Sequence, residues 1–91
     1  MAKLFPELNF VRGPQKGVRV ALSRTMNVLG RDKGCDIELA DEYASRQHAR
    51  VIVEGTRVRL INGSPNGTRV NGKPIDQVVL NDGDVIGVGL E

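Results

Sequence analysis

Apolar and polar residues alternate with a period of two along much of the chain. Val18, Val20 and Leu22 alternate with Arg19 and Ala21, Ala49, Val51 and Val53 with Arg50 and Ile52, and Val58 and Leu60 with Arg57 and Arg59. Successive side chains of an extended strand point to opposite faces, so this spacing predicts strands with one buried face. Leu8 to Arg12, Met26 to Leu29, Ile37 to Leu39, Thr68 to Val70 and Val85 to Val88 carry weaker versions of the pattern and predict further strands.

Turn signals separate these segments at short intervals: GPQKG (13–17), DKG (32–34), EG (54–55), NGSPNG (62–67), NG (71–72) and NDGD (81–84). Asn-Gly favours the positive φ values of a two-residue type I′ hairpin. Many short strands with such punctuation predict an all-β fold, a two-sheet antiparallel sandwich or a barrel. ADEYASRQHAR (40–50) contains helix-favouring residues and a capping Asp41, but its apolar positions form no helical stripe, so an irregular loop with at most one helical turn is expected. Ser45 then lies in a loop and His48 at a strand entrance.

Composition narrows the class. Ninety-one residues, 40% hydrophobic and 26% charged, suit one small globular domain. The net charge is +2 and the aromatics are one Tyr and two Phe, too little basic excess and too few stacking rings for a nucleic-acid binder. Nine Arg against four Lys instead suggest a local anion site, because the planar guanidinium grips carboxylate or phosphate. The single cysteine, Cys35, excludes an internal disulfide and reads as a small core filler. No apolar run approaches the ~18 residues of a membrane span, and no signal-peptide core opens the chain, so a cytoplasmic protein without membrane contact is expected.

SRQH (45–48) raises nucleophilic catalysis, since Ser45 and the sole histidine are three residues apart. Such chemistry needs an orienting third group and an oxyanion hole, and there is neither a Gly-x-Ser-x-Gly elbow nor room for a substrate cleft. The alternative for His48 is a buried imidazole that ties neighbouring loops together. One histidine and scattered carboxylates give no metal-ligand spacing. NDGD lacks the twelve-residue calcium-loop pattern, and a tight turn accounts for it. In LGRDKG (29–34) a strand ends at a glycine that permits an unusual backbone, and Arg31 follows. It is not a P-loop, because the Gly-x-x-x-x-Gly-Lys pattern and the succeeding helix are missing.

Taken together, Gly30-Arg31, Ser45-x-x-His48 and Asn66-Gly67-Thr68-x-Val70-Asn71-Gly72 resemble the forkhead-associated (FHA) domain in order and in spacing, with intervals of 14 residues from Arg31 to Ser45 and 21 from Ser45 to Asn66. The resemblance extends to the opening strands and turn (8–22) and to LNDGDVIGVG (80–89). It implies a β-sandwich of about eleven strands whose loops at one end bind phosphothreonine peptides. Phosphothreonine carries about −1.5 to −2 charge and three acceptor oxygens. By this resemblance Arg31 and Ser45 are the phosphate ligands, Arg46 is a second phosphate donor, and Asn66 bonds the peptide main chain. Gly30, His48, Gly67, Thr68, Asn71 and Gly72 match scaffold positions, His48 buttressing the Ser45 loop. A small pocket for the threonine methyl would favour phosphothreonine over phosphoserine. The implied partner is a protein phosphorylated by a Ser/Thr kinase, and no cofactor, metal or catalytic residue is implied.

Two departures from the family pattern stand out. Pro65 occupies a position where a Ser or Thr usually precedes the Asn-Gly-Thr, and proline supplies neither hydroxyl nor N–H. The expectation is a weaker phosphate contact, or one made up by Ser64 or Arg69. Family members also continue into a last strand that pairs with the first, whereas this chain stops at Glu91. The domain is expected to span 1–91 and either to lack that strand, exposing a sheet edge, or to be excised from a longer protein. Thr25, Thr56 and Thr68 are the only threonines and none lies in the short N-terminal arm, so self-docking of a phosphorylated N-terminal arm is not expected. The rival reading is an FHA-like structural module that joins an assembly without phosphate.

Overall fold

A computed structural model describes residues 6–11 and 13–88. The Arg12 end of the first predicted strand, Gly89 of the closing motif and the edge expected at the C-terminus lie outside them. Ten strands form among the described residues: β1 (Glu7–Asn9), β2 (Arg19–Ala21), β3 (Met26–Gly30), β4 (Ile37–Glu38), β5 (Ala49–Glu54), β6 (Arg57–Asn62), β7 (Thr68–Val70), β8 (Lys73–Ile75), β9 (Gln77–Leu80) and β10 (Ile86–Val88). No helix among the described residues is long and apolar enough to cross a membrane.

One layer is a five-stranded sheet in the order β4-β3-β5-β6-β9, and two smaller groups, β1-β2 and β10-β7-β8, complete the architecture. Within the large sheet, register sets Asn27, Val51, Leu60 and Val78 in one row and Ile37, Leu29 and Ala49 in the next. These rows form one face, and their apolar members join a single core with Leu22, Leu39, Ala44 and Val70. Leu8 and Val20 from β1-β2 and Ile75, Ile86 and Val88 from β7, β8 and β10's group pack against it, so all three groups share one interior. Val51 and Leu60 are fully buried opposite one another, each contributing about 1.5–3 kcal/mol of burial.

The strands β8 and β9 were not foreseen from alternation. Pro74 interrupts the pattern of β8, but the strand lies at the edge of its sheet, where a missing N–H is tolerated. β9 is likewise an edge strand, with Val79 44% exposed. The hairpin between β7 and β8 turns through Asn71 and Gly72, with φ values of 53° and 82°, the two successive positive angles of a type I′ turn.

The pairing of Leu29 with Ala49 and of Ala49 with Asn62 brings the end of β3, the start of β5 and the end of β6 to one end of the sheet. β4 runs parallel to β3 and finishes there too. The loops 31–36, 39–48 and 63–67 therefore emerge side by side.

Candidate functional site

Three of the four buried polar residues among those described, His48, Ser64 and Thr68, belong to this loop end; the fourth is Asn27. A buried polar group is stable only when hydrogen-bonded, so their partners define how the loops are held.

His48 is fully buried. Its Nδ1 accepts the Ser45 N–H at 3.0 Å, and its Nε2 lies 2.8 Å from the Gly67 carbonyl oxygen. A main-chain amide can only donate and a carbonyl can only accept, so the ring is neutral at Nδ1 with its proton on Nε2. The imidazole thus clamps loop 39–48 to loop 63–67. It is not paired with the Ser45 hydroxyl, and the arrangement contains no nucleophile and base.

Arg31 and Ser45 are joined through the main chain, the Arg31 N–H donating to the Ser45 carbonyl at 3.0 Å. The adjoining Asp32 N–H and the Cys35 thiol donate to the Arg46 carbonyl at 3.2 and 3.1 Å. Cys35 is therefore a half-buried loop tie rather than a core filler, and burial, followed by the nearby Asp32 charge, raises its thiol pKa above the ordinary value of 9.0. Arg31 Nε donates to the Ala44 carbonyl at 3.0 Å, which fixes the guanidinium plane and leaves its terminal nitrogens free of any other protein hydrogen bond among the described residues. Neither Arg31 nor Arg46 enters an ion pair there, in contrast to Arg24 with Asp36 and Arg59 with Glu54. Two exposed cations thus flank a half-buried Ser45.

Gly30 has a different role from the one its place in the sequence suggested. Its φ is not positive; it is buried where the backbone of Arg46 and Gln47 passes too close for any Cβ. Gly67, by contrast, has φ +84° at a turn closed by its N–H to the Ser64 carbonyl.

Asn66 is exposed, and its Nδ2 donates to the Tyr43 carbonyl at 3.1 Å, across the gap between the two loops. Its Oδ1 makes no hydrogen bond among the described residues and can accept one. Ser64 is only 6% exposed; its hydroxyl lies 2.6 Å from that of Ser45 and 3.0 Å from the Asn66 N–H. Pro65 is exposed beside it. Arg69 sits within β7, half-buried, and is not without a partner. Asn71 pins its hairpin to the 81–84 turn by donating to Asp84 at 3.0 Å and accepting the Val85 N–H at 3.0 Å.

Sequence reasoning passed over Asn62. Its side chain donates to the Ser64 carbonyl at 3.0 Å, while its Oδ1 accepts the Ser64 N–H at 3.1 Å and the buried Thr68 hydroxyl at 2.8 Å. One carboxamide thereby holds loop 63–67 at both ends. The usable signal was Asn two residues before Ser, a short-range side-chain turn, which alternation analysis absorbs into a generic loop.

A shallow cleft of about 260 Å³ borders Ser64 and Pro65 and extends to Pro74, Ile75 and Asp76. The larger cleft, about 440 Å³, lies at the opposite ends of β5 and β6 around Glu54 and Arg57, away from the loop cluster. No group of three or more His, Cys, Asp or Glu among the described residues could hold a metal ion.

Comparison with known proteins places this loop cluster in context. Residues 27–89 match the family model of the FHA domain. Over 79 residues the chain is 40% identical to the glycogen accumulation regulator GarA of Mycolicibacterium smegmatis, an alignment covering 86% of this chain and 50% of GarA. The chain spans about half the length of the curated relatives it matches. The FhaA FHA domain, solved in complex with the intracellular domain of Rv3910, superposes with a TM-score of 0.77 at 35% identity, covering 80% of this chain and 81% of that one. A structure from work on phosphothreonine-dependent FHA domain interactions gives a TM-score of 0.78 at 34% identity, with coverage of 84% and 80%.

Proposed function

The chain belongs to the FHA domain family, and we propose that it is a non-enzymatic reader that recruits a protein phosphorylated on threonine by a Ser/Thr kinase. The observation that carries this reading is the Arg31–Ser45 pair, held together by a main-chain hydrogen bond of 3.0 Å while the Ala44 carbonyl fixes the Arg31 guanidinium. A guanidinium with unengaged terminal nitrogens, a neighbouring hydroxyl and a second exposed cation, Arg46, suit a dianion with three acceptor oxygens.

Asn66 supplies the second element of recognition. Its carboxamide is oriented by Tyr43, and its Oδ1 is available to a peptide N–H, so the peptide main chain is held in register next to the phosphate. His48, Asn62, Gly30, Gly67 and Thr68 hold the loops, and Asn71 and Gly72 shape the adjacent hairpin. The relatives' names support a binding role: GarA is a regulator, and FhaA was solved with a protein domain. In this reading the chain acts as one FHA domain of a cytoplasmic signalling protein, without cofactor.

Pro65 favours a second reading, in which the same scaffold joins an assembly without phosphate, since proline removes a donor from the rim of the site. Titration with matched phosphothreonine, phosphoserine and threonine peptides, repeated on Arg31→Ala, separates the two. The first reading requires binding that depends on both the phosphate and Arg31; the second requires partner capture that survives the substitution.

A further inference from the structure

The paired hydroxyls of Ser45 and Ser64 have a direction that follows from their neighbours. Ser64 Oγ accepts the Asn66 N–H at 3.0 Å, a bond whose polarity is fixed because an amide can only donate. The same oxygen lies 2.6 Å from Ser45 Oγ. With the residue only 6% exposed, Ser45 Oγ is the one hydrogen-bond acceptor offered to the Ser64 hydroxyl hydrogen among the described residues. Were Ser45 to donate instead, the Ser64 hydrogen would have no protein partner, which a largely buried hydroxyl disfavours. The favoured order is therefore Asn66 N–H to Ser64 Oγ, then Ser64 O–H to Ser45 Oγ, which leaves the Ser45 hydrogen for a ligand.

Resting on the phosphopeptide reading, we propose that Ser64 is a positioning residue: its hydroxyl turns the Ser45 hydroxyl outward as a phosphate donor and couples that donor to the backbone of Asn66, the residue that holds the peptide. Successive hydrogen bonds polarise one another, so each link strengthens the next. Asn62 fixes Ser64 from behind by bonding both its N–H and its carbonyl, which keeps the hydroxyl at its station. Ser64 thus serves the phosphate without touching it. This offers a physical route by which a chain with proline at position 65 retains a directed donor beside the phosphate.

The test is a double-mutant cycle measured by calorimetric titration with a phosphothreonine peptide, using wild type, Ser45→Ala, Ser64→Ala and the double variant. The proposal predicts a roughly tenfold loss for Ser64→Ala in the wild-type background and less than a twofold further loss when Ser45 is already alanine. Equal losses in both backgrounds, or no loss in either, overturn it while leaving the phosphopeptide reading intact; absence of phosphate-dependent binding by wild type overturns both. A second readout avoids dependence on the fold of Ser64→Ala. Titrating the wild-type protein with inorganic phosphate should shift the Asn66 amide resonance, and Ser45→Ala, verified as folded, should suppress that shift at saturating phosphate. An Asn66 shift unchanged by Ser45→Ala, or absent in wild type while the Arg31 resonances respond, overturns the relay.

Discussion

Gly30 and Arg46 meet backbone to backbone: a methyl group on the Gly30 Cα would overlap the Arg46 carbonyl, 2.7 Å from its carbon, and would lie 2.9 Å from the Gln47 Cα. This approach lets the Arg31 and Asp32 amides reach the Ser45 and Arg46 carbonyls. The neighbouring atoms are backbone, and they cannot give way as a flexible side chain would. Gly30→Ala should therefore destabilise the fold by about 1–3 kcal/mol and weaken phosphopeptide binding more than its melting temperature alone implies, because it parts Arg31 from Ser45. Thermal melting alongside titration checks both effects.

His48→Ala should be more damaging to the fold than to any chemistry. It leaves the Ser45 N–H and the Gly67 carbonyl without their partner in a partly buried setting, at up to about 1–3 kcal/mol for each group. For a domain of this size, at about 5 °C per kcal/mol, the two together correspond to a fall in melting temperature of roughly 10–30 °C. A variant melting like wild type would show that the imidazole is not the clamp between the two loops.

How far the sequence led depends on which interactions are local. The alternation in 49–53 and 57–60 identified β5 and β6 because each strand has one face in the core, and Asn71-Gly72 marked the β7–β8 turn because its backbone angles demand those residues. β8 and β9 escaped because Pro74 and the adjacent Val78 and Val79 break alternation, and their positions depend on edge pairing with distant strands. At the loop cluster, the order of Arg31, Ser45, His48 and Asn66 was legible as a motif. The reason for Gly30 was not, since a close approach between residues 30 and 46 exists only once β3 and β5 pair. Asn62 was hidden only in part: its turn with Ser64 is local and readable, whereas its bond to Thr68 is meaningful only when both face the interior.

Pro65→Thr should strengthen phosphate binding. The substitution restores a main-chain N–H and adds a hydroxyl at an exposed position next to Ser64. One added hydrogen bond to a charged group, about 1.5 kcal/mol at the low end, corresponds to roughly a tenfold gain in affinity. The gain should vanish with the unphosphorylated peptide, which a paired titration checks.

The 81–84 turn should loosen in acid. The Asn81 N–H at 2.8 Å and then the Asn71 side chain at 3.0 Å stabilise the charged carboxylate of Asp84, so its pKa lies below the ordinary 3.8. A depressed carboxylate pKa adds stability above the unfolded-state value, and that contribution is lost as pH falls through the folded-state value. Asp84→Asn should accordingly melt below wild type at pH 7, with the gap narrowing below about pH 4. A gap that is constant across this range would remove Asp84 from the acid response.

Isothermal titration with three peptides that differ at one residue only decides whether the domain recognises the phosphate. The phosphothreonine peptide should bind, the phosphoserine peptide should bind about tenfold more weakly, in keeping with a pocket worth about 1–3 kcal/mol for one methyl, and the threonine peptide should not bind. Arg31→Ala, melting near the wild-type temperature, should abolish the phosphothreonine signal. Equal binding of all three peptides, or phosphothreonine binding undiminished in Arg31→Ala, would contradict that recognition.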